Sequence, residues 1–152
     1  MTKVFLILHV LAAILAIGPV AVAASRFPAV VRATPQDAVS LHRLCRVYAV
    51  IGIAVPVFGF GTAGAMHVMG DAWVIASIGL TALAAAVLAV MILPRQQAAL
   101  DAALQPAGEG GSQAATVTAT AKQLAMFTGV FNLLWAAVTI LMILRPGSTT
   151  GA

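Results

Sequence analysis

The stretch Trp73–Leu93, WVIASIGLTALAAAVLAVMIL, contains no Asp, Glu, Lys or Arg, and its reading decides the fold. About 20 mostly apolar residues wound as a helix cover the roughly 30 Å of hydrocarbon in a bilayer. Three further stretches have the same character: Val4–Ala24, Val47–Met69 and Leu124–Leu144. The predicted fold is all-α, a single domain over residues 1–152 built as a bundle of four transmembrane helices. Composition agrees. Of the 152 residues 62% are hydrophobic and 8% charged, with a mean hydropathy of +1.06, whereas soluble domains carry about 25% charge.

The four acids, Asp37, Asp71, Asp101 and Glu109, all lie between or beside the spans. The net charge of +4 does not signal nucleic acid, because the basic residues flank spans and form no patch interleaved with stacking aromatics. They report topology instead. Six of the eight Lys and Arg (Arg26, Arg32, Arg43, Arg46, Arg95 and Lys122) fall in the first and third connections. Only Lys3 and Arg145 flank the other side. The positive-inside bias therefore puts both long connections in the cytoplasm and both termini outside, with the turn His67–Ala72. Lys3, the apolar run behind it and Ala21-Val22-Ala23 have the outline of a cleavable signal. Removal would leave the four arginines of the first connection outside, so the segment is read as a retained span. The lone Cys45 excludes an internal disulfide and reads as a small apolar filler.

Local signals refine the layout. Gly18-Pro19 predicts a kink in span one, and Ser25–Ala33, with Pro28 and two arginines, reads as an interfacial loop. Thr34-Pro35-Gln36-Asp37 has the form of a helix start, with Thr34 as cap and Pro35 at the first helical position. It opens a short amphipathic cytoplasmic lead-in that runs into span two. Pro56 should bend span two, and Pro94 should end span three. Only a few residues join spans two and three, which predicts a tightly packed antiparallel hairpin. Arg95–Gln105 has helical composition, Gly108–Ser112 is a flexible break, and Gln113–Lys122 is a weak helical approach to span four. The tail Pro146–Ala152 reads as disordered.

Intramembrane polar residues are the candidates for function. His9 lies inside span one and can serve as a haem or metal ligand or simply bond a neighbouring helix. Met66-His67-Val68-Met69 combines thioether sulfur with imidazole, a donor set suited to Cu(I). The candidate metal residues are thus His9, Met66, His67 and Met69, with copper or haem b as the cofactor. The more ordinary reading of the same residues needs no cofactor. Gly59/Ala63 and Gly61/Ala65 are small-residue pairs that admit a close helix. Phe127, Phe131 and Trp135 form an aromatic stripe around Asn132 on span four, a surface for lipid or another subunit. The sequence holds no Ser/His/acid set, paired carboxylates, phosphate loop or metal-protease helix, and no catalytic residue is assigned. With no acid inside a span, coupled transport is a weaker third reading.

The opening Leu6-Ile7-Leu8-His9-Val10-Leu11-Ala12-Ala13-Ile14, with Gly18 and the arginines after span one, resembles a family of small bacterial four-span proteins described only as integral membrane proteins of unknown function. Size and layout are also similar to the small accessory subunits of bacterial cytochrome bcc–oxidase supercomplexes, including supercomplex association factors. The resemblance implies a multi-pass protein of the bacterial plasma membrane. Its partners would be lipid and other integral membrane subunits, and its role that of an accessory or assembly subunit without enzymatic activity.

Overall fold

The apolar runs and basic connections resolve, in a computed structural model describing residues 2–105 and 110–147, into helices longer than a bilayer requires. They are α1 (Thr2–Ala33), α2 (Pro35–Ile51), α3 (Ala54–Ala65), α4 (Ala72–Ala86), α5 (Leu93–Leu104) and α6 (Gly110–Leu144). A π-helical segment, Val87–Ile92, joins α4 to α5 without a break. Four rods result: Thr2–Ala33, Pro35–Ala65, Ala72–Leu104 and Ser112–Leu144, each long and apolar enough to cross a membrane. No strand occurs among the described residues. The 32 residues of α1 span about 48 Å at 1.5 Å per residue, well beyond the hydrocarbon thickness. Part of each rod must project past the apolar layer. Thr2, Arg145 and the Met66–Asp71 turn share one end of the bundle, and the basic connections share the other.

Three sequence expectations are corrected by how this excess length is used. Ser25–Ala33 is not a loop but the last turns of α1. Phe27, Pro28 and Val31 are buried there, and Arg32 Nε–H donates to the Pro28 carbonyl at 2.9 Å, so tertiary packing overrides the local breaker. Pro94 does not end the third rod. The wider winding of Val87–Ile92 immediately precedes it, and Arg95 Nη1 donates to the Met91 carbonyl at 3.0 Å. A π segment of this kind lets a helix pass a residue without an N–H. The break in the second rod falls at Gly52-Ile53, one turn before Pro56. Pro56 has no N–H for the Gly52 carbonyl, which accepts from Val55 N at 3.0 Å instead. Thr34 precedes α2 as expected, but its hydroxyl makes no capping bond.

The third correction concerns pairing. α3 packs along α1 and α4 along α6, while α3 and α4 meet little beyond their turn. The tight hairpin predicted between spans two and three is absent; the hairpins are α1 with α2–α3, and α4–α5 with α6. Thr2 Oγ1 donates to the Ala65 carbonyl and ties α1 to α3, while His42–Gln96 and Asn132–Ser25 join the two hairpins toward the basic end. The main core lies there, around Phe27 and Val31 of α1, Cys45 of α2, Ile92 and Leu100 of the third rod, and Leu124 and Phe131 of α6. Phe27, Val31 and Leu100 stand outside the apolar stretches, where each buried side chain contributes about 1.5–3 kcal/mol. Within lipid that gain vanishes, and packing and hydrogen bonds decide. A smaller cluster of Ala63, Trp73 and Val74, closed by Val68 and Met142, ties the terminal end. The segment around Gly108 and Glu109 and the tail beyond Gly147 lie outside the described residues.

Candidate functional site

His9 is buried on the face of α1 that meets α3, and Nδ1–H donates to the Val55 carbonyl at 2.8 Å. Its ring fits against Gly59, where a Cβ would lie 3.0 Å from Cε1 and 3.2 Å from Nδ1. One turn toward the terminal end, Phe5 fills the space over Gly61, where a Cβ would sit 2.9 Å from Cδ1. The two glycines therefore admit rings of α1 from the same chain. Ala63 belongs to the terminal cluster, and the Ala65 carbonyl accepts from Thr2.

Met66, His67 and Met69 lie in the turn that follows. His67 adopts a φ of 58°, and two bonds, His67 N–H to the Gly64 carbonyl and Val68 N–H to the Ala63 carbonyl, both 3.1 Å, close α3. This is the left-handed cap that usually holds glycine. His67 and Met69 are exposed, while His9 sits opposite Gly59, eight residues and about 12 Å of helix rise away. The structure does not bring His9 together with the Met66–Met69 group. No group of three His, Cys, Asp or Glu able to hold a metal occurs among the described residues.

The aromatic stripe of α6 turns inward. Phe131 is 1% exposed and contacts Trp135 edge-to-face, with centroids 6.3 Å apart and planes at 69°. The Arg95 guanidinium lies 4.7 Å from the centre of the Phe127 ring, which packs against the core. Phe131, read from the sequence as part of an outward surface, is packed in the chain's own core. Asn132 remains on the α1–α6 seam, where Nδ2 donates to Ser25 Oγ at 3.2 Å. Three buried polar atoms nearby have no partner among the described residues: Thr128 Oγ1, Asn132 Oδ1 and Trp135 Nε1. Trp73, at the start of α4, is buried. Its Nε1 donates to Asp71 at 3.1 Å, and the Arg145 guanidinium stands 5.8 Å from its ring centre.

One polar cluster escaped the sequence reading. His42 Nδ1 bonds Gln96 Oε1 at 3.0 Å, and Gln96 Nε2 lies 3.7 Å from Cys45 Sγ. Gln96 and Cys45 have no exposed surface. The signal was spacing. Ala38, His42 and Cys45 fall on one face of α2, and Gln96, Ala99 and Leu100 on one face of α5, all buried. A polar side chain on each stripe must find its partner on the other.

Comparison with family models, with curated proteins and with solved structures finds no match to this chain.

Proposed function

We propose that this chain is a non-enzymatic accessory subunit of a larger membrane assembly, respiratory in type and seated in the bacterial plasma membrane with both termini outside. One observation supports the reading above the rest. On the α1–α6 seam Ser25, which accepts from Asn132, is exposed; so are Gly18, two turns away along α1, and Gly129, one turn from Asn132 on α6, and a Cβ at either glycine would meet nothing within 4 Å. Helices associate in lipid through small residues that let backbones approach and through polar groups that bond across the contact. An open seam combining both is suited to a partner's helix.

The ionisable groups inside the bundle have partners of their own: His9 holds the Val55 carbonyl and His42 holds Gln96. Such groups favour a structural role for the histidines over ligation. The outer half of α1, exposing Val4, Ile7, Leu11, Ile14 and Leu15, adds apolar surface for lipid or subunit contact. The respiratory assignment rests on the resemblance of size and four-span layout. Gly18→Leu with Gly129→Leu tests the seam. Recovery of co-isolated membrane subunits should fall at least about tenfold, the loss of roughly 1.4 kcal/mol, while insertion and helix content are retained. Undiminished recovery would remove the seam from the account.

A further inference from the structure

At the basic end, α2 and α5 leave a groove of about 680 Å³ between them, continuous with a smaller recess of about 190 Å³. His42, Arg46 and Gln97 line both. Arg43 completes a pair of guanidiniums three residues apart, on one helix face. Neither arginine has a hydrogen-bond or ion-pair partner in the chain among the described residues. The groove's acid, Asp101, accepts from Gln97 Nε2 at 2.8 Å. The His42 ring is fixed by Gln96 through Nδ1, so its remaining edge belongs to the groove wall.

Position along the rods gives the groove its meaning. Val47 and Val50, 48% and 68% exposed, lie on one side of the arginines with Leu93, where the apolar stretches of both rods begin or end. On the other side the groove runs past Leu100 and Leu104, where the helices project beyond the hydrocarbon. A paired positive site therefore sits at headgroup depth, with an apolar track leading from it into the bilayer.

We infer that this α2–α5 groove binds the phosphodiester headgroup of an anionic phospholipid, with Arg43 and Arg46 on the phosphate and an acyl chain along Val47, Val50 and Leu93. The charge balance favours that occupant. Two arginines against one carboxylate leave the groove positive, and planar guanidiniums match phosphate oxygens in paired bonds. The site lies on the face away from the α1–α6 seam and does not depend on a partner subunit.

The test is native mass spectrometry of the full chain in mild detergent, titrated with phosphatidylglycerol, phosphatidylcholine or inorganic phosphate. One phosphatidylglycerol should be retained in preference to phosphatidylcholine. Arg43→Gln with Arg46→Gln should weaken it on the order of thirtyfold, about fivefold for each arginine. Gln97→Glu, adding a second carboxylate to the groove, should weaken it as well. Arg26→Gln with Lys122→Gln removes the same charge from the same end but outside the groove, and should change binding less than about threefold. Equal retention of the two lipids, equal loss in the control pair, or displacement of the lipid by equimolar inorganic phosphate would each overturn the proposal. Circular dichroism of every variant establishes that the helices are intact.

Discussion

Gly59→Ala should destabilise the protein through His9 alone, and the structure sets the size of the effect. The added methyl would stand 3.0 Å from Cε1 and 3.2 Å from Nδ1 of an imidazole that is itself held 2.8 Å from the Val55 carbonyl. A free ring could swing aside; this one must lose its bond to do so. Overpacking costs typically about 1–3 kcal/mol, and an intramembrane hydrogen bond about 0.6 kcal/mol on average. The variant should therefore lose roughly 2–3 kcal/mol. At about 2–4 °C per kcal/mol for a chain of this size, the midpoint falls on the order of 8 °C. Cys45, the single cysteine and wholly buried, supplies the assay, since a fluorogenic maleimide reacts with it as the bundle opens on heating. In a His9→Ala background the same substitution should be close to neutral, giving a coupling near the full penalty. Equal losses in both backgrounds would refute the assignment of Gly59 as the seat of the His9 ring.

The remaining predictions use the same readout or its relatives. Gln96→Leu removes the acceptor of His42 and should cost about 1–3 kcal/mol for the buried group left unpaired; faster alkylation of Cys45 at room temperature would report it, and an unchanged rate would contradict the cluster's role. His67→Gly relieves a left-handed residue with a Cβ and should stabilise by about 1 kcal/mol, seen as a higher melting midpoint; a lower one would mean that the imidazole contributes something besides the turn. Arg95→Gln should cost about 0.5–1 kcal/mol through the lost contact with Phe127, and a Phe127→Leu background should abolish most of that cost. For topology, Gly70→Cys in a Cys45→Ala background should react with an impermeant maleimide in intact cells, and Thr34→Cys should not; the reverse pattern would invert the assigned orientation.

The apolar stretches were legible because lipid tolerates little else, and the order and number of spans followed from them directly. Their true lengths were not. Hydropathy marks the part of a helix that lies in hydrocarbon, while Ser25–Ala33 is helical where Phe27 and Val31 pack beyond it; Arg95–Leu104 was legible as helix from composition, but not as a continuation of the third rod through Pro94. Proline rules predicted perturbations but mislocated their effect. Pro56 freed a carbonyl one turn upstream, at Gly52, and Pro94 followed a π segment instead of stopping the rod. The pairing of hairpins was illegible because a short connection fixes only the ends it joins. The seating of Phe5 and His9 over Gly61 and Gly59 led α3 to α1 instead of α4. For the candidate residues, position was readable and partnership was not: small-residue spacing marked Gly59 and Gly61 but could not name the rings upon them. The His42–Gln96–Cys45 cluster needed two stripes to be placed face to face, with His42 and Gln96 54 residues apart in sequence.

The central claim, that this chain acts through its surfaces within a larger assembly, is tested most directly by the composition of the particle that carries it. The full chain would be extracted from its native membrane in a mild detergent, isolated, and its co-isolated polypeptides quantified by mass spectrometry. The account predicts other integral membrane subunits, with respiratory cytochrome or oxidase chains among them, in fixed ratio to this 15.4 kDa chain. Recovery of the chain by itself, or only as copies of itself, would contradict it.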